Sequence, residues 1–183
     1  MFYMISGGSG SGKSEYAESM ILKLSQMKEK ERVYIATMMA FDEEAKRKIA
    51  RHREMRKDKG FITMECFTGL KNIKLPENCT VLLDCMSNLC ANEMYDETGA
   101  KEHVVEEVLK GIQKVLKQCK NLVVVTNEIF SDGCEYDEST KKYIQSLGRI
   151  NQHMARLADA VVEVVCGIPI YHKKPAGQGG ITC

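Results

Sequence analysis

The sequence has no excess of charge of either sign, no apolar run long enough for a membrane and no paired-cysteine motif. Lys and Arg number 26 against 25 Asp and Glu, a formal net charge of +1. That balance supplies no general field for nucleic acid or anionic membrane, so any affinity for a polyanion must be local. Aromatic and basic residues do not interleave in the way of a nucleic-acid surface, so no nucleic-acid partner is expected. No apolar run approaches the ~20 residues that span a bilayer. The opening Met1-Phe2-Tyr3-Met4-Ile5 is apolar but lacks a basic leader and runs into glycines, unlike a signal peptide. A cytoplasmic protein is expected. The cysteines (Cys66, Cys79, Cys85, Cys90, Cys119, Cys134, Cys166 and Cys183) show no Cys-x-x-Cys spacing, and no His sits close enough to complete a zinc site. Reduced thiols that hold no metal are expected.

The chain has 183 residues, 44% of them hydrophobic, enough for one domain over 1–183 with a real core. Strand and helix patterns alternate, which predicts a mostly parallel sheet with helices on its faces. Strands are expected at 2–6, 32–37, 61–66, 80–84, 121–126 and 160–166. Helices are expected at 13–27, with Tyr16, Met20, Leu24 and Met27 spaced by three or four. Others are expected at 42–56, from near Met86, at 100–119 and at 137–158. The helix from Asp42 is very polar and opens on an acidic turn that suits its dipole. The tail from Lys173, with Pro175, Gly177, Gly179 and Gly180, reads as flexible.

Between the first strand and the first helix stands Gly7-Gly8-Ser9-Gly10-Ser11-Gly12-Lys13-Ser14, a full phosphate-loop pattern. Glycines let backbone N–H groups turn inward around a phosphate, and the helix that follows points its positive end at the same anion. Lys13 reaches the β- and γ-phosphates, and Ser14 offers a hydroxyl to Mg²⁺, a hard cation that prefers oxygen. A second metal anchor is expected from an acid at the end of an apolar strand, and Asp84 fits, after Val81-Leu82-Leu83. Capping of the next helix is the alternative for Asp84. Glu128 follows another buried strand, at the edge where open α/β sheets bind ligands, and it too fits either a site or a cap. His52 sits among Lys48, Arg51, Arg53 and Arg56 on a polar helix, which taken alone is a solvated surface.

In order along the chain, several pieces resemble the bifunctional adenosylcobinamide kinase / adenosylcobinamide-phosphate guanylyltransferase family of cobalamin synthesis. They are the phosphate loop with Ala17-Glu18, Tyr34-Ile35-Ala36-Thr37, Ile49 through His52-Arg53 to Arg56 with Thr63 and Glu65, Leu83-Asp84-Cys85-Met86-Ser87-Asn88-Leu89, Thr126-Asn127-Glu128, Gly148-Arg149-Ile150-Asn151-Gln152 and Gly167-Ile168-Pro169. The resemblance implies a phosphate-loop NTPase fold of the RecA-like kind. It implies that His52 takes GMP from GTP as a covalent intermediate, and that Lys13 serves the kinase step. It places Thr37, Met38, Met39, Arg53, Glu54, Met55, Arg56, Glu65 and Asp84 at the nucleotide, with GTP or ATP as donor, Mg²⁺ beside it, and adenosylcobinamide and its phosphate as acceptors. It implies a homo-oligomer, with a trimer as the candidate size. The chain departs from the family at Arg56-Lys57-Asp58-Lys59-Gly60-Phe61, where members carry Arg-Pro and then Trp. It departs again at Ser131-Asp132-Gly133-Cys134-Glu135, where a glycine and a proline are common. A kinase without guanylyl transfer and a non-catalytic GTP-binding regulator stay open as alternatives.

Overall fold

The computed structural model describes residues 1–25, 32–129, 133 and 135–176. Met27, expected on the first helix, lies outside these residues, as do Ser131, Asp132, Cys134, Gly177, Gly179, Gly180 and Cys183. The strands are β1 (Phe2–Ser6), β2 (Arg32–Ala36), β3 (Phe61–Glu65), β4 (Thr80–Asp84), β5 (Asn121–Val125), β6 (Ala160–Val165) and β7 (Ile168–Lys173). The helices are α1 (Lys13–Leu24), α2 (Glu43–Arg56), α3 (Met86–Tyr95), α4 (Val104–Gln118) and α5 (Glu138–Leu157).

One seven-stranded sheet runs in the order β3-β2-β4-β5-β1-β6-β7. All its pairings are parallel except β6 with β7. The order β2-β4-β5-β1-β6 puts β5 between the phosphate-loop strand and the strand that ends in Asp84. The central strands are buried on both faces, so they read as continuous apolar runs. Alternate residues then enter different cores. Phe2, Met4, Val33, Ile35, Val81, Leu83, Leu122 and Val124 pack with Leu89 of α3, Ile112 of α4 and Ile150 of α5. Tyr3, Ile5, Tyr34, Leu82, Val123 and Val125 pack with Ala17, Met20 and Ile21 of α1.

The last part of the sheet departs from expectation. Lys173, where the tail was expected to begin, closes strand β7, antiparallel to β6. Cys166 (φ 50°) and Gly167 (φ 80°) make the two-residue turn between them, with left-handed backbone at both positions. Pro169 is tolerated because β7 is an edge strand. The turn also serves the phosphate loop, since the Gly167 N–H donates to the Ser11 carbonyl (2.9 Å).

The six described cysteines are free thiols. Burial pushes Cys66 up to about 11 and Cys90 up to about 12, which keeps both protonated and unreactive.

Candidate active site

The carboxyl ends of neighbouring strands converge on one edge of the sheet. There β1 delivers Gly7–Gly12, β2 delivers Thr37–Met39, β3 ends in Glu65, β4 ends in Asp84 and β5 leads to Glu128. Parallel strands bring their carboxyl ends to the same side, so residues far apart in sequence become neighbours.

The phosphate loop is held by the strands around it. The Ser11 N–H donates to the Gly8 carbonyl (3.2 Å), and the Glu128 N–H donates to the Gly7 carbonyl (3.1 Å). Gly12 enters α1 with φ 89°, a left-handed position that favours glycine. At Gly7 a Cβ would stand 2.6 Å from the Val164 carbonyl oxygen of β6, a backbone atom with little freedom to yield. Gly7→Ala should therefore displace the loop. The expected cost is about 1–3 kcal/mol of stability together with a loss of nucleotide affinity, measurable by thermal unfolding and by GTP titration. Lys13 is 9% exposed and donates through Nζ to the Gly8 carbonyl (2.9 Å). Burial lowers its pKa, while the neighbouring Cys85 and Asp84 act in the opposite direction.

Asp84 joins this loop to α2. Its Oδ2 accepts from the Tyr34 hydroxyl (3.1 Å) and lies 3.6 Å from His52 Nδ1. Asp84 does not cap α3, because Cys85 holds that position and no side chain caps it. Glu128 does not cap α5, which starts at Glu138 with Asp137 accepting from the Thr140 N–H. His52 is drawn inward from a solvated helix, with its side chain 18% exposed and Nδ1 buried without a hydrogen bond. The helix forms where expected. Asp42 accepts from the Ala45 N–H (2.6 Å), Glu43 and Glu44 occupy the first turn, and Arg53 and Arg56 occupy the last.

A small cavity of about 50 Å³ lies between α2 and the strand ends, lined by Tyr34, Met38, His52, Arg53, Arg56, Glu65 and Asp84 among others. A wider groove of about 800 Å³ adjoins it, lined by Met39 and Glu54 together with Met38, Arg53 and Glu65, which line both. Met55 lines neither space. Thr37 is fully buried, with its hydroxyl bonded to both the N–H and the carbonyl of Cys85 (2.8 Å each). It ties β2 to β4 and turns no free polar group toward the cavity.

Arg56 is the residue whose setting most favours an anion. It is 6% exposed, its guanidinium carbon lies 3.4 Å above the Tyr34 ring centroid, and its Nε and Nη1 are buried without a hydrogen bond. The ring contact contributes about 2 kcal/mol when desolvated, but it leaves those donors unmet. A phosphate oxygen in the cavity would satisfy them. Arg56→Lys removes the planar fork and should weaken GTP binding or slow its use at least ~10-fold, read from KM and kcat.

Sequence reasoning missed Tyr34 as a site residue. Its hydroxyl, set between the apolar Val33 and Ile35 of β2, was the available signal. It also missed that two of the resembling pieces touch, with the Thr126 hydroxyl, just past β5, donating to Asn151 Oδ1 of α5 (3.0 Å). Asn127 joins the same edge by donating to the Ser87 hydroxyl (2.7 Å).

Comparison with known proteins identifies the family and the fold. The family model for cobinamide kinase / cobinamide phosphate guanyltransferase matches residues 3–171. The bifunctional adenosylcobalamin biosynthesis protein CobU of Escherichia coli is 29% identical over 184 residues, covering 93% of this chain and 98% of the relative. The bifunctional adenosylcobalamin biosynthesis protein CobP of Pseudomonas aeruginosa is 26% identical over 175 residues, covering 91% and 94%. Among solved structures, a KaiC-like protein of Pyrococcus horikoshii aligns with a TM-score of 0.57 at 12% identity, covering 99% of this chain and 82% of that one. The flagellar accessory protein FlaH of Methanocaldococcus jannaschii aligns at 0.52 and 13%, covering 98% and 80%. These distant likenesses speak for the fold alone, a RecA-like phosphate-loop architecture. The family match speaks for the chemistry, and the chain belongs to the cobinamide kinase / cobinamide phosphate guanyltransferase family of kinases and nucleotidyltransferases.

Proposed function

We propose that one site in one domain carries both activities on adenosylcobinamide, with His52 as the covalent carrier of GMP. The observation that supports this most is the meeting of His52 with Asp84, 3.6 Å apart, beside the phosphate loop. In the kinase step the aminopropanol hydroxyl attacks the γ-phosphorus of GTP or ATP held by Gly7–Ser14. An O–P bond forms, the bond to the bridging oxygen breaks, and the nucleoside diphosphate leaves. Lys13 balances the charge of the transferred group, and Glu128 is the candidate acceptor of the hydroxyl proton.

In the transfer step the imidazole of His52 attacks the α-phosphorus of GTP. With Nδ1 turned to Asp84, Nε2 is the attacking nitrogen. A P–N bond forms, pyrophosphate leaves, and Arg56 and Arg53 face the phosphate charge. The phosphate of adenosylcobinamide phosphate then attacks the same phosphorus, the P–N bond breaks, and adenosyl-GDP-cobinamide is released. Asp84 orients His52 and stabilises the cation formed on the ring, as the acid of a catalytic triad does.

Mg²⁺ fits the donors present. Ser14 and Asp84 supply oxygens, and both contacts of Asp84 fall on Oδ2, so Oδ1 carries neither. Bound there, the ion would neutralise phosphate charge. A homo-oligomer, with three copies as the candidate, and a cytoplasmic location belong to the same reading and rest on the family; sedimentation tests the first.

GTP labelled separately at the α- and γ-phosphates tests the chemistry. The γ-label should pass to adenosylcobinamide. The α-label should appear first on protein and then on product as pyrophosphate is released. Product labelled from α-GTP with no protein-bound label would exclude the histidine route. Phosphorylation alone would leave a kinase without guanylyl transfer.

A further inference from the structure

Guanylyl transfer requires His52 to be held at the α-phosphorus of a nucleotide in the phosphate loop, yet α2 has little by which to hold it. Arg56 is the one buried residue of the helix, and it is the last. Beyond it, the turn from Lys57 to Gly60 fixes the end of the helix. The Lys59 N–H donates to the Arg56 carbonyl (3.0 Å), and Arg32 Nη1 donates to the Lys59 carbonyl (2.7 Å). Lys59 Nζ reaches 2.6 Å to Glu18 Oε2 on α1. The Glu18 side chain is 1% exposed, and its Oε1 is buried without any hydrogen bond. Glu18 stands roughly one and a half turns beyond Lys13 on the helix that opens at the phosphate loop.

The Lys59 side chain is 31% exposed, so only the Glu18 end of this ion pair is buried; such a pair is weak evidence of stabilisation, because desolvation of the buried charge offsets most of the attraction. Its value here is geometric. It joins the element that holds the nucleotide to the element that carries the nucleophile. We propose that Glu18 and Lys59 form a positioning clasp that sets His52 at the α-phosphorus of a nucleotide in the phosphate loop. The inference rests on the guanylyl-transfer reading. It concerns the segment Arg56-Lys57-Asp58-Lys59-Gly60-Phe61, which departs from the Arg-Pro and Trp of the family. The kinase step does not use His52, so the clasp serves one half-reaction and leaves the other alone.

The test compares wild type with Lys59→Arg, Lys59→Gln and the double variant Glu18→Met/Lys59→Met. The double variant fills the interior without stranding a charge. Three quantities are read: the single-turnover rate of protein guanylylation from GTP, the rate of adenosylcobinamide phosphorylation, and amide exchange across residues 43–56. In Lys59→Gln and the double variant, guanylylation should slow ~10- to 100-fold while phosphorylation stays within ~3-fold, because a misplacement of about 1 Å costs that much in rate. Exchange in α2 should rise, and Lys59→Arg should keep most of the wild-type guanylylation rate. Guanylylation at the wild-type rate in the double variant, or a parallel fall of both half-reactions, overturns the clasp. Absence of an adduct in wild type overturns the guanylyl-transfer reading instead, and unchanged exchange in α2 then overturns the clasp separately.

Discussion

Lys13→Ala is expected to lower both half-reactions together, each by ~10²–10³-fold, the size seen when one preorganised donor to a developing charge is removed. The reason lies in the loop. Lys13 is the first residue of α1, 9% exposed, with its ammonium against the Gly8 carbonyl. An ammonium in that place faces any phosphate chain the loop holds, whichever phosphorus reacts. The low local dielectric that lowers its pKa also strengthens its pull on an anion. Steady-state rates with adenosylcobinamide and with its phosphate check this. A large fall in one and none in the other would mean that the two reactions use different nucleotide sites.

His52→Ala should separate what Lys13→Ala joins. Guanylyl transfer should fall by ~10⁴-fold or more, since the atom that forms the covalent bond is gone. Phosphorylation should stay close to wild type, because the side chain touches Asp84 at 3.6 Å and its buried Nδ1 makes no hydrogen bond. The protein should also fold as before. The ring is on a helix whose other anchor, Arg56 on Tyr34, is untouched. Parallel assays of both half-reactions on one preparation, with thermal unfolding as control, give the comparison.

Much of this arrangement was legible in the sequence because local rules and tertiary structure agree. Runs such as Leu122-Val123-Val124-Val125 are buried in full and read as strands. The phosphate loop carries its own geometry in its glycines. His52 was legible only through resemblance, because α2 is so polar that its own pattern describes a solvated surface; the ring turns inward toward Asp84, a residue of another strand far along the chain. Strand β7 was lost because Cys166-Gly167 carries no Asn and Pro169 argues against a strand, although an edge accepts it. Thr37 shows the opposite failure. It follows directly on β2 at the carboxyl edge of the sheet, but its hydroxyl bonds Cys85, a contact between strands that no local pattern announces. The Glu18–Lys59 pair spans 41 positions and was invisible for the same reason.

Everything in the guanylyl-transfer reading turns on His52 as the carrier of GMP. Intact mass spectrometry of wild type and His52→Ala after incubation with GTP and Mg²⁺ tests it most directly. Wild type should gain one GMP per chain, located on the peptide containing His52, and the variant should gain none. No adduct in wild type while GTP binding persists, or an adduct that survives His52→Ala, would contradict that role.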